Sequence, residues 1–268
     1  MESTLTAVRP VSPAAPYLGG KRNLARRLCQ IIESIPHRTY AEPFVGMGGV
    51  FLRRSSKPAA EVINDISGDV VTLYRVLQEH YPYFIDMLRW RITSRAEFQR
   101  LLALPGDRLT DLQRAARFLY VQRLAFGGKI VGRNFGVDKR TPARFNVTKL
   151  EPMLAELNER LAGVVIEQLP FAEFIRRYDG PETLFYLDPP YWNCEGDYGD
   201  AFARGDFERL AEQLAGIQGK FVLSINDTPG VREVFRRFEL EEVETTYTIA
   251  TAATGAGKRA GELIISGG

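Results

Sequence analysis

The sequence predicts an α/β protein: an open sheet with helices on both faces, interrupted by an inserted, mainly helical segment. Three observations carry this expectation. Two short strand-like runs, Thr39–Phe44 and Glu61–Ile66, each end in a loop. Beyond residue 160, strands and helices alternate steadily. Between about 70 and 150 the alternation stops and the pattern turns helical. Residues 1–69 and 150–268 are therefore expected to form one domain, and residues 70–149 a second one inserted into it.

The elements follow in order. After a Pro/Ala-rich lead, Asn23–Ile35 places Leu24, Leu28, Ile31 and Ile35 on one helical face. Asp69–His80 reads as a helix, and Pro82–Ala125 is helical throughout except at the Pro105-Gly106 break. Residues 126–147 (FGGKIVGRNFGVDKRTPARFNV) differ: four glycines, alternating apolar residues and five basic side chains point to a hairpin or long loop. Thr148–Leu161 returns to helix. Then come the strand VVIEQ, the helix PFAEFIRRY, the strand TLFYL, a helix over Phe207–Ile217, the strand KFVLSI and a helix over Gly230–Phe238. The strands EEVETTYTI and ELIIS flank an Ala/Gly/Thr loop at 250–261, where Lys258 and Arg259 either order over a polyanion or stay loose.

Composition removes several classes. At 268 residues and 45% hydrophobic content the chain can bury a large core, yet no apolar run approaches the roughly 20 residues that span a bilayer. The first residues lack the apolar core of a secretory signal. Cys29 and Cys194 cannot build a disulfide framework, and two histidines, His37 and His80, leave little for a metal site. A reducing cytoplasm and metal-free chemistry are expected. The formal net charge of +2 hides an asymmetry: residues 85–150 carry 14 Lys and Arg against 5 Asp and Glu, and the remainder 21 against 28. A basic middle in an acidic frame suits a polyanion, although a solvated helical face would read the same way.

Three motifs carry chemistry. In LFYLDPPYW, a buried strand runs into Asp188-Pro189-Pro190-Tyr191. Ligands sit at the carboxyl ends of strands in open α/β sheets, so Asp188 stands at the active edge. The two prolines stiffen the chain and remove two N–H donors. A carboxylate, a fixed carbonyl and an aromatic face can hold an amino group on a flat ring; a Pro-rich turn capped by Asp is the alternative. In AEPFVGMGGVF, a strand enters a turn containing Gly46, Gly48 and Gly49, followed by an expected helix start. Phe51 takes the place of the third glycine of a dinucleotide fingerprint, which disfavours a nicotinamide dehydrogenase. Asp65, 17 residues past Gly48, closes the second strand where an acid can accept both hydroxyls of a ribose. In PYLGGKRN, Tyr17 offers a face and Lys21 a cation before the first helix.

Together and in this order, PYLGGK, EPFVGMGGVF, VINDI, GGK…RFNV, YLDPPY, FVLSIND and ELIIS resemble the Dam-like DNA adenine-N6 methyltransferases that carry DPPY, in their alpha motif order. The resemblance implies a Rossmann-like, S-adenosylmethionine-dependent sheet with an inserted helical DNA-recognition domain. It implies that Tyr17, Lys21, Phe44, Gly46, Gly48, Asp65, Phe171 and Asp188 serve the cofactor. Pro170 stands where the family often has an acid, and Tyr17 where many members carry Trp.

The chemistry implied by the resemblance follows physically. The adenine amine is a poor nucleophile because its lone pair is delocalised. Donating its hydrogens to Asp188 and to the Pro189 carbonyl localises that pair for direct in-line transfer. Pro190 holds the turn and Tyr191 stacks on a base extruded from the duplex. No metal is needed. Lys129, Arg133, Asn134, Arg144 and Asn146 are the expected contacts to double-stranded DNA, with Arg133 and Asn134 the candidates for base edges. Asn226-Asp227 either borders the base pocket or caps a helix before Pro229. Trp192 is expected to pack at the pocket edge. The enzyme is expected to be a monomer or weak dimer without membrane contact, with a cognate restriction nuclease left open. Rival readings are an exocyclic-amine methyltransferase on cytosine or RNA, and an inactive DNA-binding homologue.

Overall fold

The sheet grows outward from its middle in two directions. β2 (Thr39–Glu42), β4 (Ala60–Asn64) and β5 (Val165–Glu167) step to one side; β6 (Thr183–Leu187) and β7 (Lys220–Asn226) step to the other, all five parallel. The order is β5-β4-β2-β6-β7-β9-β8, so the direction of winding reverses between β2 and β6. β9 (Lys258–Gly267) is antiparallel to β7 and to β8 (Glu239–Tyr247), between which it lies. β1 (Thr6–Ala7) and β3 (Ser56–Lys57) form a separate two-stranded ribbon. This computed structural model describes residues 5–17, 19, 21, 23–136, 140–194, 196, 202–247 and 258–268, with backbone alone at 245–247 and 258–260. Among the described residues, no helix is long and apolar enough to cross a membrane.

Strand periodicity builds two cores. Tyr40, Ile63, Leu184, Tyr186, Val222 and Ile264 face one side, where they meet α1 (Ala25–Ser34), α2 (Gly68–Glu79), α5 (Asp111–Leu124) and α6 (Val147–Leu161). Ala41, Val62, Phe185, Leu187, Leu223 and Ile225 face the other, under α7 (Phe171–Tyr178), α8 (Arg204–Leu214) and α9 (Pro229–Val234). The expected inserted segment runs through α2, α3 (Tyr81–Arg89), α4 (Arg95–Ala103) and α5. The Ser94 side chain accepts from Glu97 N–H at the start of α4, and Thr110 with Gln113 makes a capping box on α5. Leu73, Phe84, Phe118 and Leu154 join the same cluster as Tyr40, so this segment shares a core with one sheet face. The line expected at residue 70 falls inside α2.

Several boundaries differ from expectation for local reasons. No α-helix follows the glycine turn. Left-handed backbone at Gly46 and Gly48 folds the chain into successive turns, and only a 3-10 turn, Phe51–Arg53, precedes extended Arg54. Of the two forms expected at 126–147, a hairpin or a long loop, the described residues take the loop, with a 3-10 turn at Phe126–Gly128 and one antiparallel bridge, Ala125 to Phe135. Residues 137–139 of that stretch, and 248–257 of the expected terminal loop, lie outside the described residues. β9 starts at Lys258, four residues before ELIIS, because its backbone continues to pair with Glu244–Tyr247. The helix expected at Phe207 begins at Arg204, and the one expected to reach Phe238 ends at Val234. Its cap is Thr228, whose hydroxyl accepts from Val231 N–H, and not Asn226-Asp227.

A buried ion triad fixes the base of the first strands. Arg160 forks both carboxylate oxygens of Glu61 at 2.7 Å, and Arg54 pairs with the same carboxylate. The Arg54 guanidinium lies 3.7 Å from the Tyr40 ring centroid and that of Arg160 4.1 Å from Phe51. Removing the shared anion leaves two buried cations facing each other. Glu61→Gln is expected to cost about 3–5 kcal/mol, read as a lower urea unfolding midpoint at unchanged m-value. A loss below 1 kcal/mol would mean that the arginines reach solvent.

Candidate active site

The reversal of winding opens a crevice at the carboxyl ends of β2 and β6. Seven of the site residues expected from the sequence, Tyr17, Lys21, Phe44, Gly46, Asp65, Asp188 and Pro190, line one cavity of about 990 Å³ there. Gly48, Phe171, Pro189 and Tyr191 are not among its lining.

On the β2 side, Gly46 has φ +49° and Gly48 has φ +73°. A Cβ on Gly46 would sit 3.1 Å from the Tyr17 ring, and one on Gly48 2.8 Å from Leu52 and 2.9 Å from the Tyr74 hydroxyl. Only glycine allows this close approach. Asp65, just past the end of β4, braces the turn: its Oδ2 accepts from Gly46 N–H at 2.8 Å and its Oδ1 from Ser67 N–H at 2.8 Å. Burial pushes its carboxyl up to about 6 against those two donors. Asn64 ties the neighbouring segments, donating to the Pro43 and Leu169 carbonyls and accepting from Leu169 N–H. Phe171 thereby sits beside Phe44, ring centroids 5.7 Å apart, and Phe202 completes a three-ring cluster at 5.8 and 5.7 Å.

On the β6 side, Asp188 follows the strand directly. Its Oδ1 lies 3.1 Å from Lys21 Nζ; Ser224 of β7, hydrogen-bonded to the Tyr186 hydroxyl at 2.8 Å, lies close enough to favour its ionised form. Burial raises Asp188 to about 7, opposed by the Lys21 ammonium and reinforced by the nearby Glu262 charge. Lys21 is buried and also donates to the Tyr191 hydroxyl at 2.6 Å and to Glu262 Oε2 at 2.9 Å. Tyr191 in turn donates to Glu262 Oε1. Asn226 does not cap a helix: it accepts from Trp192 N–H at 2.9 Å and donates to the Trp192 carbonyl at 3.0 Å. It thus splints the segment after the prolines. Trp192 packs on Phe207, centroids 5.0 Å apart.

Three polar residues and one aromatic of this site escaped the sequence reading. Glu42 is buried at the end of β2 and lines the cavity; its Oε2 accepts from the Tyr40 hydroxyl at 2.5 Å, and burial raises it to about 8. Glu262, Ser224 and Phe202 are the others. The available signals were lone polar residues in apolar runs: Glu before Pro-Phe in AEPF, Ser in FVLSIN and Glu in GELIIS.

The residues expected on DNA are scattered along the adjoining loop. Lys129, Asn134 and Arg144 are exposed. Arg133 is turned inward, its Nε donating to the Lys129 carbonyl at 3.2 Å and its guanidinium 5.7 Å from the Phe118 ring centroid. The Asn146 side chain caps α6 through Thr148 N–H. None lines the cavity, but their neighbours Arg123, Gly127 and Ile130 do. Gln122 bolts this loop to the first motif, its Nε2 donating to the Pro16 carbonyl at 2.9 Å and the Gly128 carbonyl at 2.8 Å.

A family model of D12 class N6 adenine-specific DNA methyltransferases matches residues 17–249. The chain belongs to this family. It is 24% identical over 267 residues to the type II methyltransferase M1.LlaDCHI of Lactococcus lactis subsp. cremoris, covering 92% of each chain. It is 28% identical over 262 residues to the DNA adenine methylase of Vibrio cholerae, covering 90% of this chain and 91% of that one. Among solved structures, the SAM-dependent methyltransferase of Agrobacterium tumefaciens aligns over 97% of this chain and 71% of its own, at 11% identity and a TM-score of 0.42. As a D12 methyltransferase, the enzyme methylates adenine N6 in DNA site-specifically, with S-adenosylmethionine as the methyl donor.

The raised carboxyls give this methyltransferase a pH signature. Glu42, Asp65 and Asp188 are partly protonated near neutrality, and a cationic ligand favours their ionised forms. Donor binding is therefore expected to release protons, and its affinity to rise as pH climbs from about 6 to 8. Calorimetry in two buffers of different ionisation enthalpy measures the release. S-adenosylhomocysteine, which lacks the sulfonium charge, should show a shallower dependence; equal slopes would remove the electrostatic role of these groups.

Proposed function

We propose that the D12 enzyme acts on an adenine extruded from duplex DNA, with Asp188 and the Pro189 carbonyl accepting the two hydrogens of its N6 amine. The observation that carries this reading is the placement of Asp188: a half-buried carboxylate at the reversal of strand order, paired with buried Lys21 and opening into the cavity that Gly46 and Asp65 also line. Pro189 and Pro190 have no N–H to compete for the target, and their rings hold the carbonyl in one direction. Accepting both hydrogens localises the nitrogen lone pair, and positioning supplies most of the acceleration. The proton shed by the methylated amine passes to Asp188 or to water. Tyr191, its hydroxyl held by Lys21 and Glu262, offers its ring to the extruded base.

The cavity suits S-adenosylmethionine. Gly46 lines it without a side chain beside the Tyr17 ring, and the carboxylates of Glu42, Asp65 and Asp188 match a cationic ligand. Asp65 takes the ribose hydroxyls, Phe44 and Phe171 with Phe202 pack the adenine, and Tyr17 and Lys21 close the methionine end. When bound, the donor supplies an electrophilic methyl group on a sulfonium.

Residues 70–149 form the recognition unit, carried by the catalytic residues 1–69 and 150–268. Exposed Lys129, Asn134 and Arg144 meet the duplex first; Arg133 reaches a base edge by leaving the Phe118 ring, and Asn146 acts by fixing the start of α6. The working form is a monomer or weak dimer in the cytoplasm, with or without a cognate nuclease.

Incubation with S-adenosylmethionine and unmethylated duplex DNA, followed by mass spectrometry of the nucleosides, tests the chemistry. Wild type yields N6-methyladenine, whereas Asp188→Ala loses about 10³-fold or more of turnover while keeping DNA affinity within about threefold. Near-normal turnover of the variant would sink the mechanism. The role of the basic unit is read from salt: the logarithm of DNA affinity should fall linearly with log salt, the slope shrinking by about 1 in Lys129→Ala. A flat response would take DNA contact away from this segment.

A further inference from the structure

Glu262 occupies a position where a sheet interior ordinarily holds an apolar side chain. It lies on β9 between Asn226 of β7 and Val243 of β8, and only 1% of it is exposed. A carboxylate buried there is costly unless both oxygens are satisfied. Both are: Oε2 accepts from Lys21 Nζ at 2.9 Å and Oε1 from the Tyr191 hydroxyl.

The same contacts complete Lys21. An ammonium has three hydrogens, and the partners are Glu262 Oε2, the Tyr191 hydroxyl at 2.6 Å and Asp188 Oδ1 at 3.1 Å. One cation is therefore divided between two carboxylates that both line the cavity, and Glu262 is the closer of the two. Were Asp188 the sole carboxylate partner, the ammonium would settle on the oxygen needed by the target amine.

We infer that Glu262 is a positioning residue for methyl transfer: by drawing Lys21 and the Tyr191 hydroxyl towards β9, it leaves the charge of Asp188 for the N6 hydrogens of adenine. This rests on the role of Asp188 proposed above. The groups facing Asp188 are Lys21 from the turn before α1, Glu262 from β9, Ser224 from β7, Glu42 from β2 and Tyr186 from β6. Of these, the Glu262 charge opposes ionisation of Asp188 and the Lys21 charge favours it.

Glu262→Gln keeps the shape and removes the charge. Expected are a roughly tenfold or greater loss of kcat, KM for DNA and donor within about twofold, and an acid limb of the kcat–pH profile moved downward by about one unit, because Lys21 then pairs with Asp188 alone. Donor affinity by calorimetry and the thermal midpoint establish that the variant is folded. In a Lys21→Met background the same substitution should shift the limb less, since only the direct repulsion between the two carboxylates is relieved and the cation that links them is gone. A kcat loss uniform across pH, or an identical shift in both backgrounds, would overturn the proposal. Asp188→Ala separates the two readings: if it is inactive while the limb of Glu262→Gln stays in place, only the role of Glu262 fails; if it is active, the mechanism beneath fails as well.

Discussion

One buried ammonium joins three stretches that the chain order keeps far apart. Lys21 reaches Tyr191 across 170 residues and Glu262 across 241, and meets Asp188 between them. A charge held so deep is tolerated only where every donor finds an acceptor. That requirement fixes the first turn, the end of β6 and the middle of β9 relative to one another. The prolines after Asp188 then need only hold a direction already set, and the Asn226 splint on Trp192 continues the same restraint along the chain.

The sheet makes this meeting possible. Strands that wind outward from β2 and β6 leave their carboxyl ends side by side, so a glycine turn and a carboxylate separated by about 140 residues face one cavity. The reversed β9 adds a carboxylate beside the carboxyl end of β7, where Glu262 is in register with Asn226. Beneath the site, the Glu61 triad performs the corresponding task for β4 and α6, binding the first half of the sheet to the helix that returns from the basic segment.

The alternation of strands and helices was legible because each buried strand is a short apolar run bounded by turn residues, and Asp188, Asp65 and Gly46 were legible because each ends such a run. Glu42 and Glu262 were not, since a single acid in an apolar stretch carries no periodicity, and its partners lie far away in sequence. The stretch after Gly49 reads as a helix start by composition; left-handed Gly46 and Gly48 turn it into a 3-10 coil instead. Arg133 and Asn146 have the chemistry of DNA contacts, yet one folds back over Phe118 and the other caps a helix. Those outcomes depend on neighbours that residue type alone does not name.

The amide of Gln122 has a consequence for divergence. Its nitrogen grips the carbonyls of Pro16 and Gly128, and a Cβ on Gly128 would crowd the Pro16 carbonyl carbon at 3.2 Å. The loop is thus clamped at its root, and beyond the clamp Val131, Gly132 and Asn134 are exposed while Ile130 still lines the cavity. Exchanges at those exposed positions alter the outer surface and leave the inner wall in register with Tyr17. Such a hinge-free anchorage lets a lineage rewrite what the loop meets without retuning the chamber behind it.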